Sequence, residues 1–291
     1  MQFVRFTKFW EGLSVEQMGD RAATLGYDGL DLVVRDGYAV TPSNAAQGLP
    51  KAVRHLEGLG LTCPLVTADV SLTDATAKGA QRLFAAAADA GVTAIKLGYF
   101  VYEPGADFEA VWTRAKRSLS HFESLSQRTG VRSVYHTHNG LCLGSNCAGL
   151  RHLLEGFDPQ LIQAYVDPGH LAVNGEDVRI GLPMLRDRLA VLAGKDAHHA
   201  KGSHSAEFAP FVDRFVPVGQ GAAQWREAME ILIDWNWQGV VSVHTEYTAD
   251  QAIIQTVGGR DDSGAIREMR ELGEESDLKT LREFARSARE R

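Results

Sequence analysis

The sequence predicts an α/β protein, a single (β/α)8 TIM barrel. Eight short apolar runs each precede a segment of helical character, and each such unit spans roughly 30 to 40 residues, as βαβ units do. Four of the later runs end in ionisable side chains, which is typical of the catalytic end of a parallel barrel. No linker rich in Pro, Gly or Ser divides the 291 residues, so we predict one domain over residues 1–291.

The first four units show the pattern clearly. Their predicted strands are 3–7, 30–34, 63–68 and 94–100, and their predicted helices are 14–25, 45–59, 74–90 and 108–128. Ser14 and Gln17 have the spacing of a capping box at the start of the first helix. The strands are nearly continuous apolar runs, as expected when both faces of a parallel sheet are buried.

The last four units carry the polar strand ends. Their predicted strands are 134–140 with its closing turn, 162–167, 189–195 and 240–246, and their helices are 148–155, 222–234 and 264–289, the last with a break near Gly273. Residues 196–218 carry His198, His199, Lys201, His204 and Glu207. A segment this long without periodicity predicts a mobile lid over the site.

A doubly wound α/β sheet is the alternative fold. That fold would place a G-x-G-x-x-G turn after the first strand, where it binds a dinucleotide. The sequence has no such turn there, and we therefore favour the barrel.

Composition limits the partners. A formal net charge of −7 disfavours nucleic acid, because phosphate binding needs a basic surface, but it leaves room for a small anion beside a local Lys or Arg. No apolar stretch approaches the roughly 20 residues that cross a bilayer, so we expect no membrane partner. Three cysteines without a signal peptide favour reduced thiols and a cytoplasmic location. A homo-oligomer remains open.

Histidines concentrate in the second half of the chain. Six of the ten lie at or just after strands five to eight: His136, His138, His170, His198, His199 and His244. Neutral imidazoles beside a carboxylate suit a divalent transition metal. We favour a functional role for His136, Asp167 and His244 at strand ends, and solvated polar positions for His198, His199 and His204.

Three motifs point to a family. They are Val166-Asp167-Pro168-Gly169-His170, Lys195-Asp196, and the turn from Val216 to Gly221. With them, nearly the whole chain resembles the xylose isomerase-like TIM barrels, which include sugar and sugar-phosphate isomerases and epimerases. In its aldose-ketose members, the resemblance implies one divalent metal held by Glu, Asp, His and Glu from strands five to eight.

The metal ligands implied by the resemblance are only partly present. The strand-five Glu falls on His136 and the strand-six Asp on Asp167, whereas the strand-seven His falls on Ala193. The strand-eight Glu falls on His244, with Glu246 two residues later. His136, Asp167 and His244 would form a two-histidine, one-carboxylate set for one Mn, Fe, Zn or Mg ion. Alternatively, the metal site has decayed and Lys195 fills the vacancy.

The remaining polar residues receive roles in proton transfer and substrate binding. Glu246 is the predicted base and Lys195 the group that holds a sugar oxygen or stabilises an enolate, with His138 as a further catalytic candidate. The predicted substrate-binding residues are His170, Asp196, Trp10 and Lys96.

Four functions are weighed for this site. The first is a metal-assisted sugar isomerase or epimerase acting by proton transfer next to the carbonyl of a small carbohydrate. The second is a lyase or hydrolase on an oxidised (keto) sugar, and the third a non-catalytic sugar-binding protein with a lapsed metal site. The fourth, an endonuclease with several zinc ions that cuts abasic DNA, is disfavoured by the net charge and by Ala193.

Overall fold

A computed structural model describes residues 1–201, 211–247 and 262–291. Eight parallel strands close into a barrel, and the first strand pairs with the last. In chain order the barrel strands are β1 Gln2–Phe6, β2 Gly29–Val33, β3 Thr62–Thr67, β4 Ala94–Lys96, β5 Arg132–His136, β6 Ile162–Val166, β7 Leu189–Gly194 and β10 Val240–Val243. The predicted (β/α)8 fold is confirmed.

Helices surround the barrel and return the chain to its starting end. The described α-helices are α1 Val15–Leu25, α2 Ala45–Gly58, α3 Lys78–Asp89, α4 Phe108–Thr129, α5 Cys147–Leu153, α6 Pro168–Asn174, α7 Val178–Met184, α8 Trp225–Asp234 and α9 Asp262–Arg289. Ser14 and Gln17 form the predicted capping box at the start of α1. The predicted break near Gly273 is wrong, because α9 continues through it and the Tyr247 ring packs against this glycine.

Apolar side chains fill two layers of the molecule. Inside the barrel, the buried residues are Leu65, Ala94, Val134, Tyr165, Val191 and Ala193. A larger cluster lies between the barrel and its helices. The barrel is therefore a packed core, and a ligand must bind above it, where the strands end.

Two barrel strands end earlier than predicted. After β4, the chain turns toward the loop that follows β3: Gly98 N–H donates to the Leu72 carbonyl oxygen at 2.8 Å. After β10, Thr245 adopts a left-handed conformation with a φ of 48°. Glu246 therefore does not continue the strand face of His244, contrary to the prediction from alternation.

The segment from 196 to 218 is more regular than predicted. Strands β8 Asp196–Lys201 and β9 Phe211–Val216 pair in an antiparallel hairpin, in which Asp196 lies opposite Val216. This pairing satisfies the backbone N–H and C=O groups of both strands, so they are not an irregular loop. Residues 202–210, with His204 and Glu207, lie outside the described residues.

Candidate active site

A cavity of about 100 Å³ opens at the carboxyl end of the barrel strands. Seven of the predicted site residues line it: Lys96, His136, His138, His170, Lys195, His244 and Glu246. The other lining residues are Phe6, Lys8, Arg35, Thr67, Val70, Tyr99 and Tyr165. The topology brings these groups together because parallel strands deliver their last residues to one face.

Asp167 lies fully buried at the end of β6. Its Oδ1 caps α6 by accepting the His170 backbone N–H at 3.0 Å, and its own N–H donates to Thr137 Oγ1. Among the described residues its Oδ2 has no hydrogen-bond partner, but it lies 3.4 Å from His136 Nε2 and 3.9 Å from Lys195 Nζ. Burial raises the pKa of the Asp167 carboxyl group, and the Lys195 ammonium opposes that rise.

Lys195 follows β7 and turns its buried ammonium group into the cavity. Its Nζ donates to Glu246 Oε2 at 3.0 Å and to His170 Nε2 at 3.2 Å. The same nitrogen lies 4.0 Å from the centre of the Phe215 ring, which belongs to β9. Trp225 Nε1 donates to the Lys195 carbonyl oxygen and fixes the backbone there. Lys195 is therefore a positioned cation in the middle of the site.

Glu246 lies between two lysines. Its Oε1 is 2.6 Å from Lys8 Nζ, and its Oε2 is 3.0 Å from Lys195 Nζ. Burial alone would raise the pKa of Glu246, but the two ammonium groups hold that pKa well below the ordinary value. The carboxylate is therefore ionised at neutral pH, and it faces the cavity.

Three histidines of the site are buried and neutral. Burial holds the pKa of His136, His170 and His244 well below the ordinary value, since no solvent stabilises a charged ring there. The Tyr99 hydroxyl lies 2.7 Å from His136 Nδ1, and the Tyr165 hydroxyl lies 2.7 Å from His244 Nε2. Each tyrosine thereby fixes the orientation of one imidazole.

A second group of cavity side chains comprises His138, His170, Lys96 and Tyr99. The ring of His138 packs against that of His170 with centroids 4.0 Å apart and a tilt of 40° between the ring planes, and burial lowers the pKa of His138. Lys96 Nζ lies 3.9 Å from the centre of the Tyr99 ring. Burial, and after it the charge of Arg35, lowers the pKa of Lys96 to about 7. These groups can hold an oxygen-rich ligand against the barrel.

Two predicted substrate-binding residues do not reach the cavity. Trp10 is buried behind β1, where Nε1 donates to Glu274 Oε1 at 2.7 Å. Asp196 accepts backbone N–H groups from Ala197, Gly219, Gly221 and Ala223, so its carboxylate fixes the turn before α8. Neither residue lines the cavity, because these polar groups already have hydrogen-bond partners in the scaffold.

Seven cavity residues were missed by sequence reasoning, and four of them, Lys8, Arg35, Tyr99 and Tyr165, carry ionisable side chains. Tyr165 could have been found, because it precedes Asp167 by two residues and so shares its inward strand face. Lys8, Arg35 and Tyr99 lie just beyond strand ends, where alternation no longer predicts direction. Their positions depend on the loops.

The predicted metal ligands are not arranged around one ion. Among the described residues, no group of three or more His, Cys, Asp or Glu side chains converges in a way that could hold a metal ion. His136 and Asp167 do approach each other, but Nε2 of His244 lies against Tyr165, and the Lys195 ammonium lies beside Asp167. The donors as placed do not fit the metal that the family resemblance implies.

The hairpin histidines lie apart from this centre. His199 is exposed and its Nε2 lies 3.4 Å from Asp213 Oδ1, while Asp213 Oδ2 accepts from Asn139 Nδ2 at 2.6 Å. This contact ties the hairpin to the loop after β5. Within the residues that can be described, no helix is both long and apolar enough to cross a membrane.

Solved structures with the same fold include two sugar epimerases. D-psicose 3-epimerase from Clostridium cellulolyticum H10, solved with D-tagatose, has a TM-score of 0.71 at 15% identity, covering 98% of this chain and 99% of that one. The 3-keto-D-glucoside 4-epimerase from E. coli has a TM-score of 0.66 at 16% identity, covering 97% and 99%. At such identities the likeness shows the fold alone.

Sequence comparison gives the family. An inosose dehydratase from Bacillus licheniformis is 26% identical over 147 residues, which are 48% of this chain and 49% of that protein. The chain thus spans about half the length of the curated relatives it matches. The profile of the xylose isomerase-like TIM barrels, by contrast, matches residues 20–272. With that match and the closed barrel, the chain belongs to the family of xylose isomerase-like TIM barrels.

Proposed function

We propose that the protein is an enzyme that removes the proton next to the carbonyl group of a small carbohydrate, and that it acts as an isomerase or epimerase. The observation that carries this proposal is the contact between Lys195 Nζ and Glu246 Oε2 at 3.0 Å inside the cavity. It places a cation and an ionised carboxylate side by side where a substrate binds.

Proton removal next to a carbonyl group needs both of these charges. The carbon-bound proton is weakly acidic, so a base must be positioned on it while a cation stabilises the enolate oxygen. When the substrate carbonyl oxygen takes a hydrogen bond from Lys195, the adjacent carbon comes close to Glu246. The bound substrate also weakens the Lys195–Glu246 pair and so raises the basicity of the carboxylate.

The neutral histidines complete the reaction. His138 and His170 lie together on one side of the cavity, and His170 Nε2 accepts from Lys195. A neutral histidine gives the epimer when one ring nitrogen delivers its proton to the face opposite Glu246 while the other ring nitrogen takes a proton from water. Glu246 then releases the proton it removed to water. Tyr99 and Tyr165 hold the imidazoles of His136 and His244 in place for contacts with substrate hydroxyl groups.

Dehydration is the second candidate, and the similarity to the inosose dehydratase favours it. It shares the first step, because removal of the same proton gives the same enolate. The outcome then differs: Glu246, which carries the proton it removed, protonates the hydroxyl group on the neighbouring carbon, and that group leaves as water. The same residues therefore support both reactions, and the position of the leaving hydroxyl group decides between them.

A panel of ketoses, 3-keto-glucosides and inososes in D₂O tests the proposal. We expect one of them to exchange a carbon-bound proton next to its carbonyl group for deuterium, followed by proton NMR. An epimer that carries deuterium supports epimerisation, and an unsaturated or deoxygenated product supports dehydration. Tight binding of a sugar without exchange of any proton would contradict the enzymatic proposal and favour the sugar-binding protein.

A further inference from the structure

The predicted strand-seven metal ligand is replaced in a specific way. Ala193 is buried among the apolar residues of the barrel interior and offers no donor atom. Lys195, two residues later, turns its ammonium group toward the acidic side chains that follow β6 and β10. We infer that Lys195 is the permanent cation of the site and that it excludes a divalent metal from the space between Asp167 and Glu246.

Distances place the ammonium group between the acidic residues of the site. Lys195 Nζ lies 3.9 Å from Asp167 Oδ2 and 3.0 Å from Glu246 Oε2. It also donates to His170 Nε2 at 3.2 Å. A metal ion bound by Asp167 needs the same space, since metal–oxygen bonds are about 2 Å long.

Charge balance supports the same conclusion. Asp167 and Glu246 contribute two negative charges when both are ionised, and Lys8 and Lys195 contribute two positive charges. The buried histidines are neutral, so this group of side chains is balanced without a metal. A divalent ion placed a few ångströms from the Lys195 ammonium would be strongly repelled in an environment of low dielectric constant.

The lone pairs of the histidines are also partly used. Tyr165 engages His244 Nε2, and Lys195 engages His170 Nε2. Within the part of the chain that the structure describes, His136 Nε2, His244 Nδ1 and Asp167 Oδ2 have no hydrogen-bond partners, yet they are not gathered around one point. Removing Lys195 would leave Asp167 without a cation and Glu246 with Lys8 alone, which favours a divalent cation beside these atoms.

Titration with Mn²⁺, followed by the loss of the free-ion EPR signal, tests the inference without reference to turnover. The proteins are wild type, Lys195→Ala, Lys195→Arg and Lys8→Ala. We expect Lys195→Ala to bind one Mn²⁺ at least about tenfold more tightly than wild type does. Lys195→Arg keeps the charge in place, and Lys8→Ala removes only the outer partner of Glu246, so both should resemble wild type.

Three results would overturn the inference. One is stoichiometric Mn²⁺ binding by wild type that is lost in Asp167→Ala. The second is equal Mn²⁺ affinity in Lys195→Ala and wild type when far-UV circular dichroism shows both folded. The third is binding by Lys195→Arg as tight as by Lys195→Ala. If Lys195→Ala does not fold, Lys195→Gln replaces it with the same expectation. Because the readout is metal binding, these results are independent of whether the proposed reaction occurs.

Discussion

Glu246 and Glu274 are both carboxylates held by two cationic side chains, but they lie in different regions of the barrel. Glu274, on α9, binds Arg5, Arg21 and Trp10, and its side chain is only 3% exposed. We call these four residues the anchor network. Glu246 binds Lys8 and Lys195, and 26% of its side chain is exposed at the cavity.

The difference in exposure and partners distinguishes a carboxylate of the scaffold from a carboxylate of the candidate active site. In the anchor network both oxygens of the carboxylate are used by groups that a ligand cannot displace. Arg5 also donates to the carbonyl oxygens of Val243 and His244, so this network fixes the end of β10. At Glu246 a substrate can replace Lys195 as a partner. A carboxylate with a replaceable partner can do chemistry, whereas one enclosed by fixed partners stabilises the fold.

The largest effect is expected from Glu274→Gln. It removes the charge between Arg5 and Arg21 and leaves the buried guanidinium group of Arg5 uncompensated, so the free energy of unfolding should fall by about 3 to 5 kcal/mol. Urea unfolding measures it. Turnover per folded molecule should change little, and a large loss of turnover at unchanged stability would remove the distinction between the two regions.

A pH-dependent effect is expected from Asp31, which lies in the barrel interior and accepts hydrogen bonds from Thr67 Oγ1 and Ser242 Oγ. Burial raises the pKa of Asp31 to about 6 from an ordinary 3.8. The folded protein therefore binds the proton of the Asp31 carboxyl group more tightly than the unfolded chain does. The stabilisation of the fold that results is fully present below the ordinary pKa of 3.8 and is lost as pH rises through 6.

Asp31→Asn, which cannot ionise, isolates that contribution. Between pH 4 and pH 8 the stability of wild type relative to the variant should fall by about 2.4 kcal/mol, since the two pKa values differ by about two units and pH 4 lies just above the lower one. Urea unfolding of both proteins at the two pH values measures this. A difference that stays constant with pH would show that Asp31 titrates normally.

A smaller loss of stability is expected from Trp10→Phe. The variant keeps the aromatic ring between the two arginines but removes the hydrogen bond to Glu274 Oε1, so the free energy of unfolding should fall by about 2 kcal/mol. The KM of any substrate found should be unchanged. A raised KM at unchanged stability would restore the role in substrate binding predicted from the sequence.

The smallest effect is expected from Lys96→Gln on the cavity side. Loss of its charge should raise KM about tenfold, corresponding to about 1.4 kcal/mol, with little change in kcat if Lys96 only binds substrate. Steady-state kinetics on the substrate identified by NMR measures both constants. A kcat that falls by the same factor as kcat/KM would place Lys96 in the chemical step instead.

The sequence predicts the barrel well because its information is local. Apolar runs, helix starts and strand ends recur in every unit, and the parallel topology then brings the strand ends to one face. This reasoning placed His136, Lys195 and His244 correctly at the cavity. The short strand β4 and the hairpin were not predicted, since hydrogen bonds between distant loops determine them.

The failures at the site share one physical cause. The partners of Trp10 and Asp196 lie on other elements, Glu274 and the turn at 219–223, and no local pattern predicts those contacts. The position of Glu246 depends on one residue, Thr245, whose positive φ ends the alternation. Long-range hydrogen bonds and single backbone angles therefore determine the parts of the site that the periodicity of the sequence cannot predict.

Glu246→Gln is the most direct test of the central claim that the Lys195–Glu246 pair carries the reaction. The substitution keeps the shape of the side chain and removes the base, so the rate of deuterium exchange next to the carbonyl group should fall about 10²-fold or more. Substrate binding, measured by calorimetry, should persist. Glu274→Gln is the control and should exchange at nearly the wild-type rate. The two proteins are compared without denaturant and at equal concentrations of folded protein, as determined by circular dichroism. A Glu246→Gln protein that exchanges as fast as wild type would contradict the account.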